Sequence, residues 1–522
     1  MIMSSCDQIS CMKPLQNQRN KQENLSIFFG DQKVCLFQVG SANTHGIRAG
    51  CISTRSISSN DIQKKRNSYS IFSALKVQTN TGVPIFGSQI SYMGMGVTDT
   101  IVAGQASALD LSGLAIGNAL TMPIYFLFGG CLFAVTPIVA QLFGAKQFEE
   151  IGEKVRQILW LSLGIGIIGF FAYRNLSLLI PFFDIDQEIT VISDGYLKAM
   201  SYGFVANMVF TCLRCYSEGM GLTLPVFWIA FIGMLLNIPL DIIFVYGYLG
   251  LPPMGGVGCG IATSINVIVG MVILIIVILR KQDYASTKLF SRFSKPNKKT
   301  TLEALKLGFP IGFGLFVELS MFSGAALIIG SLGAAVVGAH TVAINIASVF
   351  FMLPLSIGLA AATRIGNLVG ESNVLQAQYA SYVTVLVCFL GACINTLCIL
   401  LLRDGLVSLY SNDIEVIAIA VNLLFFAAVF QIPDGLQMGA LGSLRGYKDT
   451  FAPMLMLIVT YWFLALPVGY MLTYHGILGN PLGASGIWIG MITGLVTFST
   501  LIIPRLRYTS NKFIQRANPK PL

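Results

Sequence analysis

The chain carries the same landmarks twice at a nearly constant spacing. Gly82-Val83-Pro84-Ile85 returns as Gly308-Phe309-Pro310-Ile311 after 226 residues, and Gly144 returns as Gly370 at the same interval. Leu213-Arg214-Cys215-Tyr216-Ser217-Glu218 returns as Leu444-Arg445-Gly446-Tyr447-Lys448-Asp449 at 231, and Pro225, Pro239 and Pro253 return as Pro453, Pro467 and Pro481 at 228. A repeat of this length means one architecture used twice. Composition names the solvent: 54% of residues are hydrophobic and 11% charged, whereas soluble domains are about 25% charged. The apolar stretches run to about 20 residues or more, the length that crosses a bilayer. Two homologous membrane bundles that can rock about a shared site make a machine for moving solutes.

These patterns predict an all-α membrane protein with twelve transmembrane helices in two six-helix lobes related by a parallel repeat. The N-lobe is expected over 82–280 and the C-lobe over 304–508, joined by a basic linker at 281–303 and followed by a tail at 509–522. The first helix is expected at 82–104, because Lys76-Val77-Gln78-Thr79-Asn80-Thr81 is polar. Residues 1–80 hold ten Lys/Arg and four Asp/Glu and few long apolar runs, so they read as a disordered or processed basic leader. That stretch has no apolar core of the kind a secretory signal needs. A transit segment and an over-extended start both fit it.

Charge sets the expected orientation. Seven Lys/Arg against one acid lie between Arg280 and Lys299, and five with no acid lie between Arg505 and Lys520. Even-numbered connections are basic and odd-numbered ones mostly acidic or neutral. The positive-inside rule then places the linker and both termini in the cytoplasm, in the inner membrane if the source is bacterial. Basic clusters of this kind face a membrane surface, not nucleic acid. The Cys212/Cys215 pair lacks the βαβ setting of a redox motif and reads as packing. The three histidines, His45, His340 and His475, form no metal motif, and no phosphate-binding loop occurs. These absences argue against an enzyme, against a bound cofactor and against ATP as the direct energy source. A gradient-driven secondary transporter fits instead.

Four acids fall inside expected spans with no basic residue nearby in sequence: Asp99, Asp241, Glu318 and Asp434, on the first, fifth, seventh and tenth helices. An ionised Asp at the bilayer centre costs about 2.5–3.5 kcal/mol on insertion scales, so such groups are paired, protonated or face water. A cation from solution or a proton is the natural counter-charge. At the spacings of their neighbouring landmarks these acids map onto Ala325, Gly469, Tyr92 and Gly203, so the lobes share a scaffold and differ in chemistry. Asn237, one turn before Asp241, adds an amide oxygen suited to sodium. Helix–helix hydrogen bonding is the plain structural alternative for all of these. Asp194 with Lys198 reads as a neutralised pair. Arg214 with Glu218, and Arg445 with Asp449, read as duplicated hinge or lobe-locking pairs.

The segments Pro84–Gly104 (PIFGSQISYMGMGVTDTIVAG), Gly308–Ser320 (GFPIGFGLFVELS) and Gln431–Thr450 (QIPDGLQMGALGSLRGYKDT) resemble the multidrug and toxic compound extrusion (MATE) family, in its bacterial multidrug/sodium antiporter branch. Leu213–Pro225 and Asn237-Ile238-Pro239-Leu240-Asp241 fit as well, and the resemblance spans about residues 82 to 508. It implies a twelve-helix, two-lobed exporter coupled to sodium or proton entry, with Asp99, Glu318 and Asp434 as functional carboxylates and Asn237 and Asp241 beside them. Sodium would bind transiently at Asp99, Asn237 and Asp241, or at Glu318 and Asp434. The implied cargo is hydrophobic, mostly cationic drugs, exported by alternating access from a membrane-embedded monomer. Phe350, Phe351, Met352 and Gln431 are candidates for lining the substrate cleft. Two other readings compete with it: a lipid-linked glycan flippase of the same broad superfamily, which would want an Arg-lined cleft, and an intramembrane enzyme, which would want clustered catalytic groups.

Overall fold

The computed structural model describes residues 25–29, 33–37, 71–183, 186–410, 413–476 and 480–517. Most of the expected leader and the last five residues lie outside the described residues. Within the stretch read as leader, β1 (Leu25–Phe29) and β2 (Lys33–Phe37) pair antiparallel with Leu25 opposite Phe37. Their Ile, Val and Phe residues suit a pleated strand. This hairpin belongs to a unit separate from the helical one that begins at Ile71.

The helical unit contains twelve long helices. The first six are α1 (Ile71–Ala106), α2 (Ala108–Gly144), α3 (Phe148–Asn175), α4 (Gln187–Gly219), α5 (Leu224–Tyr246) and α6 (Gly256–Arg280). The second six are α7 (Lys298–Gly330), α8 (Ala334–Gly370), α9 (Val374–Ser408), α10 (Ile414–Gly446), α11 (Phe451–Tyr474) and α12 (Ala484–Ala517). Ten of them, all but α1 and α4, are long and apolar enough by composition to cross a membrane. The exceptions carry the polar load, with Gln78 and Asp99 on α1 and Asp194, Lys198, Arg214 and Glu218 on α4. Helix α1 starts at Ile71, earlier than its polar first turns suggest. Those turns find partners: Gln78 is buried and its Nε2 donates to Thr384 Oγ1 of α9 at 3.0 Å.

Each half has its own core. One buried cluster lies wholly in the second half, from Val317 to Leu506, with Trp488, Tyr461 and Phe498 among its largest fully buried side chains. Another draws on α2–α6, with Ala304 of α7 and the linker residues Tyr284 and Leu289 added. Large apolar side chains such as Leu401 and Phe463, more than 70% exposed, look outward, as expected where lipid replaces water. The linker closes on the N-lobe: Arg156 Nη1 donates to Lys288 O at 2.9 Å, and Trp160 Nε1 to Ser294 O at 3.0 Å.

The lobes meet at the end that bears the linker. There the repeated glycines explain themselves. A Cβ on Gly144 of α2 would meet the backbone of Asn367 on α8, and a Cβ on Gly370 of α8 would meet the backbone of Gln141 on α2. Gln141 and Asn367 are themselves repeat partners, 226 residues apart, as are Ala140 and Gly366, which touch each other. The seam is therefore a pseudo-twofold crossing of α2 and α8, made close by small residues. Gly130 of α2 adds a second backbone approach to Gly312 of α7. Cross-lobe hydrogen bonds lie in this half, among them Gln141 Nε2 to Gly446 O (2.8 Å) and Thr363 Oγ1 to Glu218 O (3.1 Å). Toward the far end, Gly104, Gly113 and Gly117 of the N-lobe and Gly324 and Gly338 of the C-lobe approach only atoms of their own lobe. The lobes are joined at the linker end and part towards the other.

Candidate functional site

The four unpaired acids fall into two clusters, one in each lobe. In the N-lobe, Asp99 of α1 meets Asn237 and Asp241 of α5. Asn237 and Asp241 lie one turn apart and face the same side, as the four-residue spacing requires. Asn237 Nδ2 donates to Asp99 Oδ1 at 3.1 Å and to Asp241 Oδ2 at 2.9 Å. Thr263 of α6 donates its hydroxyl to Asp99 Oδ2 at 3.2 Å, and Cys259 Sγ donates to Asp99 O at 3.6 Å. Asn237 and Asp241 are fully buried and Asp99 nearly so. With its amide nitrogen committed to two carboxylates, Asn237 turns Oδ1 away from any donor. Asn237 Oδ1 and Asp241 Oδ1 are both buried without a hydrogen-bond partner. An oxygen-rich pocket with two unpartnered acceptors and no guanidinium or ammonium is suited to a hard cation or a proton.

In the C-lobe, Glu318 of α7 accepts a hydrogen bond from Gln437 Nε2 of α10 at 2.7 Å, and Gln437 Oε1 accepts one from Tyr461 OH of α11 at 2.5 Å. Tyr461 stands in a stretch of π-helix, Ile458–Ala465, inserted in the middle of α11. Such wide turns recur at functional positions because they re-aim side chains. Asp434, one turn before Gln437, is buried, and its carboxylate has no hydrogen-bond partner among the described residues. It lies within electrostatic reach of Glu318.

The repeat positions show why the clusters do not coincide. Where the C-lobe has Asp434, the N-lobe has Gly203, pressed against Ser264; where the N-lobe has Asp241, the C-lobe has Gly469, pressed against Gly490 and Ile487. Each lobe fills with close backbone packing the place where the other keeps an acid.

Three residues of these clusters were not singled out from the sequence: Thr263, Gln437 and Tyr461. Gln437 had a readable signal, an amide three residues after Asp434 in an apolar helix. Thr263 and Tyr461 had none, because they approach across helix pairs. The cleft candidates fall differently. Phe350 and Phe351 are half-buried and pack on the C-lobe core, and Met352 is half-buried beside them. Gln431 is buried inside the C-lobe, where its Nε2 donates to Ala347 O at 3.0 Å, tying α10 to α8. Cys212 and Cys215 are buried free thiols.

The duplicated ion pairs are realised only once. Arg214 Nε lies 3.8 Å from Glu218 Oε1, but Asp449 does not take Arg445. The chain leaves the helix before Asp449, with Lys448 in the left-handed region at φ 62°. Asp449 instead accepts from Arg505 Nε at 2.7 Å and Arg505 Nη2 at 3.1 Å, both from α12. Lys198 and Asp194 do pair, at 2.5 Å.

Against known proteins, the MatE family pattern matches residues 84–243 and 310–471, one match per lobe. The multidrug resistance protein NorM of Vibrio cholerae is 38% identical over 424 residues, which is 81% of this chain and 93% of that protein. The multidrug resistance protein PmpM of Pseudomonas aeruginosa is 37% identical over 443 residues, 85% of this chain and 93% of that one. Among solved structures, the eukaryotic MATE transporter AtDTX14 superposes with a TM-score of 0.78 at 18% identity, covering 86% of this chain and 99% of its own. A multidrug resistance MATE family transporter in an outward-facing conformation superposes with a TM-score of 0.77 at 18% identity, covering 84% and 96%. The repeat, the two six-helix lobes and these matches agree: the chain is a multi-pass membrane protein that belongs to the MATE family of transporters.

Proposed function

We propose that this protein is a secondary active multidrug antiporter that exports hydrophobic, mostly cationic compounds in exchange for sodium or protons. The observation that carries this reading is the pair of buried carboxylate clusters, one per lobe, in a molecule whose lobes are joined at one end only. A lone buried carboxylate needs a positive partner. In the N-lobe no protein cation supplies it, and Asp99, Asn237 Oδ1, Asp241 and Thr263 offer the oxygens a sodium ion would take. In the C-lobe, Glu318 and Asp434 offer the corresponding place for a proton or an ion.

The basic linker supports, by the positive-inside rule, an orientation with the joined end and both termini cytoplasmic and the parted end outside. The described conformation is then the one that admits cations from outside and releases drug. Cation binding in the clusters relieves the repulsion among the acids and lets the lobes close outside and open inside. A drug entering from the cytoplasm competes for the same negative charge, with Phe350, Phe351 and Met352 as adaptable apolar contact. Each inward charge draws about 2.3 kcal/mol per 100 mV from the membrane potential. The protein would work as a monomer, in the inner membrane if its source is bacterial.

The test is dye efflux from proteoliposomes holding the purified protein, first with an imposed sodium gradient and then with a pH gradient. Efflux driven by one or both supports the reading and names the ion. No efflux under either gradient removes it.

A further inference from the structure

Tyr92 and Glu318 occupy the same place in the repeat, as do Arg214 and Arg445, and Glu218 and Asp449. Each lobe uses this triad differently. In the N-lobe, Arg214 pairs with Glu218 and rests over the rings of Tyr92, at 5.7 Å, and Phe133, at 5.6 Å. One cation faces one anion and two neutral rings, so the charges close. In the C-lobe an acid replaces the tyrosine, and Arg445 would have two acids to serve. A second arginine removes one of them. Asp449 is held by Arg505 and by the Thr509 hydroxyl at 2.6 Å. At the 228-residue spacing of the nearby prolines, the counterpart of Arg505 in the N-lobe is Val277.

The Arg445 guanidinium makes no ion pair and no hydrogen bond among the described residues. It shares with Glu318 and Asp449 the wall of a cavity of about 20 Å³ between α7, α10 and α11, room for about one water. Arginine does not give up its proton. A permanent cation, released from its obvious partner and left beside the coupling acid, is poised to stabilise that acid when it is empty.

We infer that Arg445 is the internal counter-ion of Glu318: it pairs with the carboxylate across the cavity after Glu318 has released its ion or proton, and withdraws when the acid is reloaded. The other titratable groups facing this cavity and Glu318 are Asp434 of α10, Tyr461 of α11, Asp449 with its Arg505 of α12, and Cys131 of α2, which packs against Gly312. None of these supplies a free cation. Arg445 is thus a positioning residue that sets how readily the C-lobe site empties, with no part in holding the drug.

This rests on Glu318 being a coupling acid, and the test separates the two claims. Ethidium efflux is measured in proteoliposomes over a range of luminal and external pH for the full chain and for Glu318→Gln, Arg445→Gln, Arg505→Gln and the Arg505→Gln/Asp449→Asn double variant. An opposite charge nearby moves an acid's titration by about one to three pH units. Arg445→Gln is expected to displace the midpoint of the pH profile upward by about one unit or more. Arg505→Gln should do the same, because it frees Asp449 to capture Arg445. Adding Asp449→Asn should restore the original midpoint. A double variant displaced as far as Arg505→Gln, or an undisplaced profile for both Arg445→Gln and Arg505→Gln, overturns the inference. If Arg445→Gln does not reach the membrane, the comparison of Arg505→Gln with the double variant decides alone. Normal efflux by Glu318→Gln would instead overturn the coupling role on which it rests.

Discussion

The seam between the lobes can be tested through its glycines. Replacing Gly144 by Ala would drive a Cβ onto the carbonyl oxygen of Asn367, and place it 2.8 Å from that carbonyl's carbon. A carbon and a carbonyl oxygen rest about 3.3–3.6 Å apart, so the oxygen is the limiting contact and the seam would have to open by more than about 1 Å against backbone that has no rotamer to yield. Overpacking of this kind costs about 1–3 kcal/mol. In the proposed alternating-access cycle the strain would fall only on the state in which the linker end is closed, because α2 and α8 would separate there in the opposite state. A cost of about 2 kcal/mol moves the balance between the two states by about 30-fold. Gly370→Ala strains the same crossing from the other side, so the double variant should cost much less than the sum. The assay is a spin-label distance between exposed Thr100 on α1 and Thr341 on α8, in a cysteine-free background, read together with dye efflux. A growing short-distance population and a matching fall in efflux are expected in each single variant. Unchanged distances and efflux at normal protein level would show that these backbone contacts do not hold the lobes together.

Three further outcomes follow from the two clusters. Asn237→Leu removes the donor shared by Asp99 and Asp241, so a sodium-dependent rise in melting temperature in detergent, measured against choline, should vanish; an unchanged rise would remove the N-lobe site. Glu318→Gln and Asp434→Asn should each abolish drug efflux while leaving membrane expression intact, and normal efflux in both would remove the carboxylate mechanism. Gln437→Leu strands Glu318 Oε1 and the Tyr461 hydroxyl, each worth about 1–3 kcal/mol when left unpaired in a buried site. A melting temperature equal to that of the unsubstituted protein would mean the Tyr461–Gln437–Glu318 chain contributes nothing.

Much of this architecture is legible in the sequence, because periodicity and duplication report on the scaffold. Pro84 and Pro310 stand at equivalent places inside α1 and α7, and Gly144 and Gly370 mark the two sides of one crossing. The four acids could be found because a charge in an apolar helix has no innocent surface to face. What was not legible is whatever depends on which helices touch. Thr263 joins Asp99 only through the packing of α6 on α1, and Tyr461 reaches Gln437 only because α11 widens into a π-turn. Arg445 and Asp449 look like a helical pair at a four-residue spacing. The helix ends between them, and a residue of α12, 56 positions further on, claims the aspartate. The polar start of α1 misled for the opposite reason: Gln78 can be buried within a helix because Thr384, from the other lobe, satisfies it. Sequence patterns speak for a helix's own faces, and long-range partners override them.

The most direct measurement of the central claim reverses the machine. Proteoliposomes containing the purified protein, loaded with an organic cation dye and placed in dye-free medium, hold only a dye gradient. If the buried acids exchange one cation for another, dye leaving down its gradient should draw sodium or protons inward, measured as tracer sodium uptake or luminal acidification. That uptake should disappear in Asp99→Asn and in Glu318→Gln. Dye that leaves without any counter-movement of sodium or protons, or counter-movement that persists in both variants, would contradict the account.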